Sequence, residues 1–398
     1  MNYTYWVLIV SVFLMFGAPQ AHAASAPTFS SGRYFVPTTN TFWKNALGAR
    51  RLIDNGFTAD LNEIQIRVAR LAGLKLVPVK RFTILADQEV IPSPSPDTRP
   101  SGTISWGVRS VLGLSDTAIK TAGGKGIRVA VLDTGIDREH PDLSSRVTVC
   151  RDYADPIKSV NDDSCVDQNG HGTHIAGVIA ADGGASGEGM WGIAPEAELL
   201  VYRVCGKSGI CLADDIAAAL VRAVDDGAQI ALLGMGSESS SSLVSDAIAY
   251  AVKHDVMVIA PAGNSGPDNE LLDWPARDAR VVSVGAVSQE GEVAEFSSRG
   301  VNAKTKSYLA NDGDLTLVAP GANIESTFRD QGYAILSGTS MAAPHVAGVA
   351  ALVWQSHVKN PLQATMTILR ASTEDIDLPG DDNASGLGAL VLRGEISE

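Results

Sequence analysis

The chain has 398 residues, 45% of them apolar and 19% charged, so it can bury a large core and is no disordered tail. Its net charge of −14 is unevenly placed: residues 24–99 carry ten Lys and Arg against six Asp and Glu, whereas residues 100–398 carry 21 against 39. That balance argues against nucleic acid or an anionic membrane as partner, and it sets two segments of opposite sign against each other.

In chain order, an apolar run from Trp6 to Ala18 is followed by Pro19 and the small-x-small pattern Ala21-His22-Ala23. The run is short for a bilayer span, and although no Lys or Arg precedes it, residues 1–23 read as a signal peptide. The protein is then secreted, extracellular or periplasmic, with no membrane attachment after signal cleavage. Residues 24–100 follow as a small α+β unit that ends in the linker Ile91-Pro92-Ser93-Pro94-Ser95-Pro96 and Pro100, because proline runs cannot pack regularly.

From about Gly126 short apolar runs alternate with helical periodicity. Strands are predicted at 127–132, 199–204, 229–233, 256–261 and 281–287, and helices at 171–181, 212–226, 243–254, 340–357 and 362–371. Strands this uniformly apolar, separated by helices, predict an α/β fold with a mostly parallel central sheet and helices on both faces. Ligands in such folds bind beyond the carboxyl ends of the strands. Cys150, Cys165, Cys205 and Cys211 suit disulfides in an oxidising compartment, and the spacings do not suit zinc. Three pairings are open. Pairing neighbours closes short loops, the first of which contributes on the order of 3 kcal/mol.

Four segments carry chemistry. Asp133 directly follows the run Val129-Ala130-Val131-Leu132, at a strand end where a site residue or a turn-capping Asp would stand. His171 lies in Asn169-Gly170-His171-Gly172-Thr173-His174, where flanking glycines expose an imidazole that serves as base when a carboxylate holds its other nitrogen. His174 has no third ligand at a suitable spacing, which counts against a metal pair. Ser340 lies in Ser337-Gly338-Thr339-Ser340-Met341-Ala342-Ala343-Pro344, at the start of an apolar helix whose free N–H groups favour negative charge. Read alone, that segment is equally a small-residue core helix with a serine cap. Asn264 follows a strand in Ala262-Gly263-Asn264-Ser265-Gly266 and can offer its amide to an oxyanion.

Together these boxes resemble those of the subtilisin-like serine proteases, the subtilases (peptidase family S8), in the order Asp, His, Asn, Ser. The likeness runs from about Trp106 to Gly388 and includes His140-Pro141-Asp142-Leu143, Gly192-Ile193-Ala194-Pro195 and Phe296-Ser297-Ser298-Arg299-Gly300. It implies a monomeric serine endopeptidase, with residues 101–398 as peptidase domain, acting on polypeptide substrates. Ser340 would attack the scissile carbonyl, His171 would take its proton, Asp133 would hold the imidazolium, and Asn264 with the Ser340 N–H would bind the oxyanion. An acyl-enzyme would follow, and the rate would fall as His171 becomes protonated.

The resemblance also implies residues 24–100 as a propeptide, a folding aid and inhibitor. Ile84-Leu85-Ala86-Asp87-Gln88-Glu89-Val90 would be its end, and self-cleavage would leave a mature start near residues 101–105. Calcium is implied as a structural ion, with Asp142 at a common ligand position; the loop Asn161-Asp162-Asp163-Ser164 with Asp167 is a second source of oxygens. Where the family has Asn-x-Ser-x-Gly on its substrate strand, this chain has Leu232-Leu233-Gly234-Met235-Gly236. Gly234, Met235 and Gly236 would still pair with a peptide, beside a looser, Met235-lined S1 pocket for the residue before the scissile bond. Trp274-Pro275-Ala276 resembles the box beside S1; it would put Asp273 near the pocket floor, favouring Lys or Arg, unless Asp273 is a solvated loop acid. A silent, peptide-binding relative is the competing reading, and an esterase of the α/β-hydrolase type lacks its G-x-S-x-G.

Overall fold

Two asparagines set up the first unit. Asn40 accepts a hydrogen bond from Phe42 N to start helix α1 (Thr41–Leu47), and Asn62 forms a capping box with Gln65 to start α2 (Glu63–Leu71). These helices cover an antiparallel sheet of β1 (Gly32–Val36), β2 (Ala49–Ile53), β3 (Gly56–Leu61) and β4 (Val77–Pro78), in the order β2-β3-β1-β4. Its core is small and is built on Tyr34, Val36, Leu47, Phe57, Leu61 and Ile66. The computed structural model describes residues 31–53, 55–85, 91–92, 103–155, 157–162, 164–267, 271–302 and 311–393; the expected signal peptide and most of the proline linker lie outside them.

Short strands then connect the two units: β5 (Arg81–Ile84), β6 (Ile91–Pro92) and β7 (Thr103–Ile104), followed by α3 (Trp106–Leu112). The larger unit runs β8 (Arg128–Asp133), β9 (Val147–Asp152), α4 (His171–Ala180), β10 (Met190–Trp191), β11 (Glu198–Arg203), β12 (Ile210–Leu212) and α5 (Ala213–Asp225). It continues through β13 (Ile230–Leu233), β14 (Met235–Gly236), α6 (Ser242–Lys253), β15 (Met257–Pro261), β16 (Val282–Val287) and β17 (Leu317–Pro320). The hairpin β18 (Ile324–Phe328) and β19 (Gly332–Leu336) precedes α7 (Thr339–Val353), α8 (Pro361–Ala371), β20 (Thr373–Glu374) and β21 (Ala389–Leu390).

Nine of these strands form one sheet, ordered β20-β21-β17-β16-β15-β13-β8-β11-β9 and parallel except where β20 meets β21. Alternate residues point to opposite faces. Val129, Val131, Leu199, Val201, Ile230 and Leu232 pack with Ile175 of α4 and Val346 of α7. Ala130, Leu132, Leu200, Tyr202, Ala231 and Leu233 pack on the other side with Ile216 of α5 and Ile248 of α6. Both faces are dry, which is why the strands read as unbroken apolar runs. The α/β architecture expected from the sequence is the one found. One helix is shorter than expected: α7 ends at Val353 rather than at 357, where Trp354 turns to an extended backbone.

Both disulfides join neighbouring cysteines, Cys150 with Cys165 and Cys205 with Cys211. The first ties β9 to the loop before α4, and the second closes the loop that leads into β12. The opposite charges of the two segments also meet. Arg33 lies 3.0 Å from Asp214 and Arg51 lies 2.8 Å from Asp215, at the start of α5, while the Thr58 hydroxyl donates to Asp214. Among the described residues no helix is long and apolar enough to cross a membrane.

Candidate active site

The carboxyl ends of the central strands and the starts of two helices bring the singled-out residues to one edge of the sheet. Asp133 closes β8 and is fully buried. Its Oδ1 accepts a hydrogen bond from His171 Nδ1 at 2.8 Å and one from Thr134 N at 2.7 Å. His171 opens α4 behind Gly170, whose φ of 111° favours glycine and where a side chain would run into the Phe328 ring. Two further residues hold this corner. Thr134 Oγ1 accepts from Gly172 N, and Asp167 accepts from the amides of Asn169, Gly170 and Thr173 and from the Thr173 hydroxyl. The imidazole is thereby fixed on one nitrogen, while Nε2 is buried with no hydrogen-bond partner among the described residues.

Ser340 sits in the first turn of α7, behind Gly338. Its hydroxyl donates to the Gly234 carbonyl at 3.3 Å, so the serine–histidine hydrogen bond is not made in this conformation. A staggered rotation about χ1 redirects the hydroxyl, and such bonds commonly tighten only when substrate is bound. Asn264 lies just past β15. Its Oδ1 accepts from Thr339 N at 3.0 Å and from Thr339 Oγ1 at 2.8 Å, which spends the acceptor end of the amide and leaves the NH₂ end for another acceptor. Asp133, His171, Asn264 and Ser340 thus converge.

The substrate strand departs from expectation. Gly234 is not a loosened pocket wall: a Cβ there would collide with Asp133 Oδ2, so the glycine makes room for the buried carboxylate. Met235 does not line the pocket either. Strand alternation turns it into the core with Leu233 and Tyr202, where it is wholly buried. Gly236 does face the pocket, because a Cβ on it would fall 2.6 Å from Leu85 Cδ1 and 3.0 Å from Asp273 Oδ2. The same Asp273 oxygen lies 3.0 Å from the Cβ position of Gly263. Asp273 is therefore a buried acid between two glycines and not a solvated loop residue. Burial, and next the negative charge of Glu238, push its carboxyl up to about 6.

Several of the expected metal oxygens are otherwise engaged. Asp142 Oδ2 accepts from Met190 N and from the Tyr333 hydroxyl, both at 2.8 Å, and Asp182 of the facing loop pairs with Arg146. In the second loop Asp162 pairs with Arg151 and Asp167 is spent on the His171 turn, while Asp163 lies outside the described residues. No group of three or more His, Cys, Asp or Glu side chains among the described residues could hold a metal. Calcium takes 6–8 oxygens, so a site at Asp142 would have to draw on backbone and amide oxygens beside that one carboxylate. His174 and His345 are buried and pushed down to about 3 and about 4 by desolvation; each holds a backbone carbonyl, Ile324 O and Met341 O, and neither joins the site.

Against known proteins, a model of the "Subtilase family" matches residues 124–388. Over 98% of both chains the sequence is 35% identical to "Subtilisin" of Bacillus sp. (strain TA39). It is 38% identical to "Subtilisin Savinase" of Lederbergia lenta over 72% of this chain and 96% of that one. The solved "S41 Psychrophilic Protease" superposes with a TM-score of 0.69 at 39% identity, covering 74% of this chain and all of that one.

Proposed function

Since the chain belongs to the subtilase family of serine endopeptidases, we propose that Ser340, His171 and Asp133 are its nucleophile, base and orienting carboxylate, in a secreted enzyme made as a precursor. The observation that carries this reading is the buried His171–Asp133 pair, 2.8 Å apart, with no partner for the far ring nitrogen among the described residues. Once the Ser340 hydroxyl turns from the Gly234 carbonyl, its proton passes to His171 Nε2, and Asp133 stabilises the cation that forms. Oxygen charge developing on the scissile carbonyl is met by the Ser340 N–H, at the positive end of α7, and by the Asn264 amide oriented through Thr339. The acyl-enzyme then yields to water activated by the same imidazole. Residues 1–23 direct export, and the arginine-rich first unit, clamped on Asp214 and Asp215, blocks the site until it is removed. A calcium ion at Asp142 would serve structure alone, and no step is routed through it.

The test is casein hydrolysis combined with a serine-directed phosphonate. Stoichiometric labelling of the Ser340 peptide with loss of casein turnover is expected. A label on another residue, or full turnover by Ser340→Ala, would overturn the assignment.

A further inference from the structure

We propose that His174 is a positioning residue for Ser340: it ties the hairpin that delivers the nucleophile to the helix that carries the base. This rests on the reading of Ser340 and His171 as nucleophile and base. His171 opens α4, and Ser340 lies four residues beyond the end of β19. The two are distant in sequence, so their spacing is set by whatever holds the β18–β19 hairpin against α4. Four of the five residues of β18 make that contact. The Phe328 ring fills the space that a side chain on Gly170 would need. The Thr327 hydroxyl donates to Thr173 O at 2.8 Å, and the Ser326 hydroxyl donates to His174 O at 2.9 Å. Both hydroxyls stand where a Cβ on Gly177 would run into them, so only a glycine lets the strand approach the helix this closely. His174 completes the series at the other end of β18, with Nε2 2.9 Å from Ile324 O.

A carbonyl only accepts, so the His174 ring carries its proton on Nε2. His174 and Ile324 are both 0% exposed, and His174 Nδ1 has no partner among the described residues. Desolvation pushes the ring down to about 3, so at neutral pH it is an uncharged donor and adds no cation beside His171. Ile324 pairs with Leu336 in the hairpin, and Asn323 N donates to Ser337 Oγ at 2.9 Å. The carbonyl that His174 holds therefore lies across from the residues that lead directly into Ser340. The Ser340 hydroxyl rests on Gly234 O while His171 Nε2 has no partner among the described residues, so the reaction needs a small and accurate approach of the two. A misplacement of about 1 Å between reacting groups costs on the order of 10²-fold in rate. Without the donor, Ile324 O is left as a buried acceptor with nothing to accept from, and β18 must shift to find another partner.

The enzyme and its variants are expressed from the full chain and compared on a peptide anilide. Sites are counted by phosphonate labelling of Ser340, so that differences in processing cancel. His174→Phe keeps a ring in place and removes the donor; kcat per site should fall roughly tenfold or more, with KM within about twofold of the parent. The midpoint of its rise with pH should not move, because His171 keeps Asp133. His174→Gln returns a side-chain NH₂ at about the reach of Nε2 and should bring kcat back to within about threefold of the parent. Where His174→Phe does not fold, His174→Met takes its place, since its adaptable chain fills the space without a donor. Unchanged kcat, a loss carried by KM, a shifted midpoint, or a Gln variant as slow as the Phe variant overturns the positioning role alone. Failure of both donor-free variants to fold makes His174 a packing residue and overturns it too. A parent that does not label at Ser340 overturns the reading beneath it.

Discussion

The two units hold together by different means. The large unit buries two apolar clusters, one on each face of a nine-stranded sheet, and carries both disulfides. Residues 31–78 have one small cluster on a four-stranded sheet, and several of their ion pairs point outward. Arg51 donates to Asp215 and to the Tyr153 carbonyl, and Arg33 reaches Asp214, all across the junction. A core this small leaves little margin by itself, so the first unit depends on docking for its order, whereas the large unit depends on its own interior. Chemistry should therefore be lost by changes inside the large unit that leave the junction intact, and the proposed inhibition by changes at the junction that leave chemistry intact.

The largest effect that would sharpen this contrast lies at Asn264. Asn264→Ala removes the donor proposed to meet developing charge, and kcat should fall by roughly 10²- to 10³-fold with KM little changed. Hydrogen exchange of the first unit in the uncut chain should stay as it was. A protection loss there would show that the site and the docked unit are not separable.

Next comes the junction. Arg51→Ala leaves Asp215 buried with one cation fewer, which costs about 2 to 3 kcal/mol. In a full-length Ser340→Ala background, the amides of β3 should then exchange roughly 30- to 150-fold faster, while those of β8 should not change. Equal acceleration in both strands would break the comparison, because it would mean one cooperative unit.

How much of this was legible in the sequence follows from the same contrast. Unbroken apolar runs such as Val129-Ala130-Val131-Leu132 announce a strand covered on both faces, and Asp133, His171 and Ser340 stand in local motifs that need no partner to be noticed. Strand β9 was missed because it lies at the sheet edge and only Cys150 and Asp152 in it are buried. Thr339 and Asp167 act through hydrogen bonds to residues already singled out, and a sequence shows no such bonds. The place of Leu85 was invisible for a deeper reason. Its strand gets all its pairing from distant segments, at Ile210–Leu212 and Met235–Gly236, and pairing across more than a hundred residues leaves no period to read. Gly234 and Met235 were misplaced because an expected pocket wall depends on which way each side chain turns.

The smallest expected effect concerns the pocket where the connecting segment meets the large unit, since Leu85 of the segment and Asp273 of the unit lie against the same glycine. Asp273 loses its proton near pH 6 because burial, and next Glu238, disfavour its charge. Below that pH the pocket floor is neutral and suits leucine. Above it the floor carries a charge that draws lysine or arginine. The ratio of kcat/KM for a lysine substrate over a leucine substrate should rise as pH goes from 5 to 8, by about tenfold, the worth of roughly 1.4 kcal/mol. The base titration is common to both substrates and cancels in that ratio. Asp273→Asn should flatten the curve. Stability must move the opposite way: a carboxyl whose folded value lies above its unfolded 3.8 makes the fold less stable as pH rises from 3.8 through 6, because the folded chain holds the proton longer. Asp273→Asn should therefore unfold at a higher temperature than the parent at pH 8, and the gap should narrow towards pH 4. A ratio that stays flat in the parent would place the charge of Asp273 outside the reach of the bound side chain.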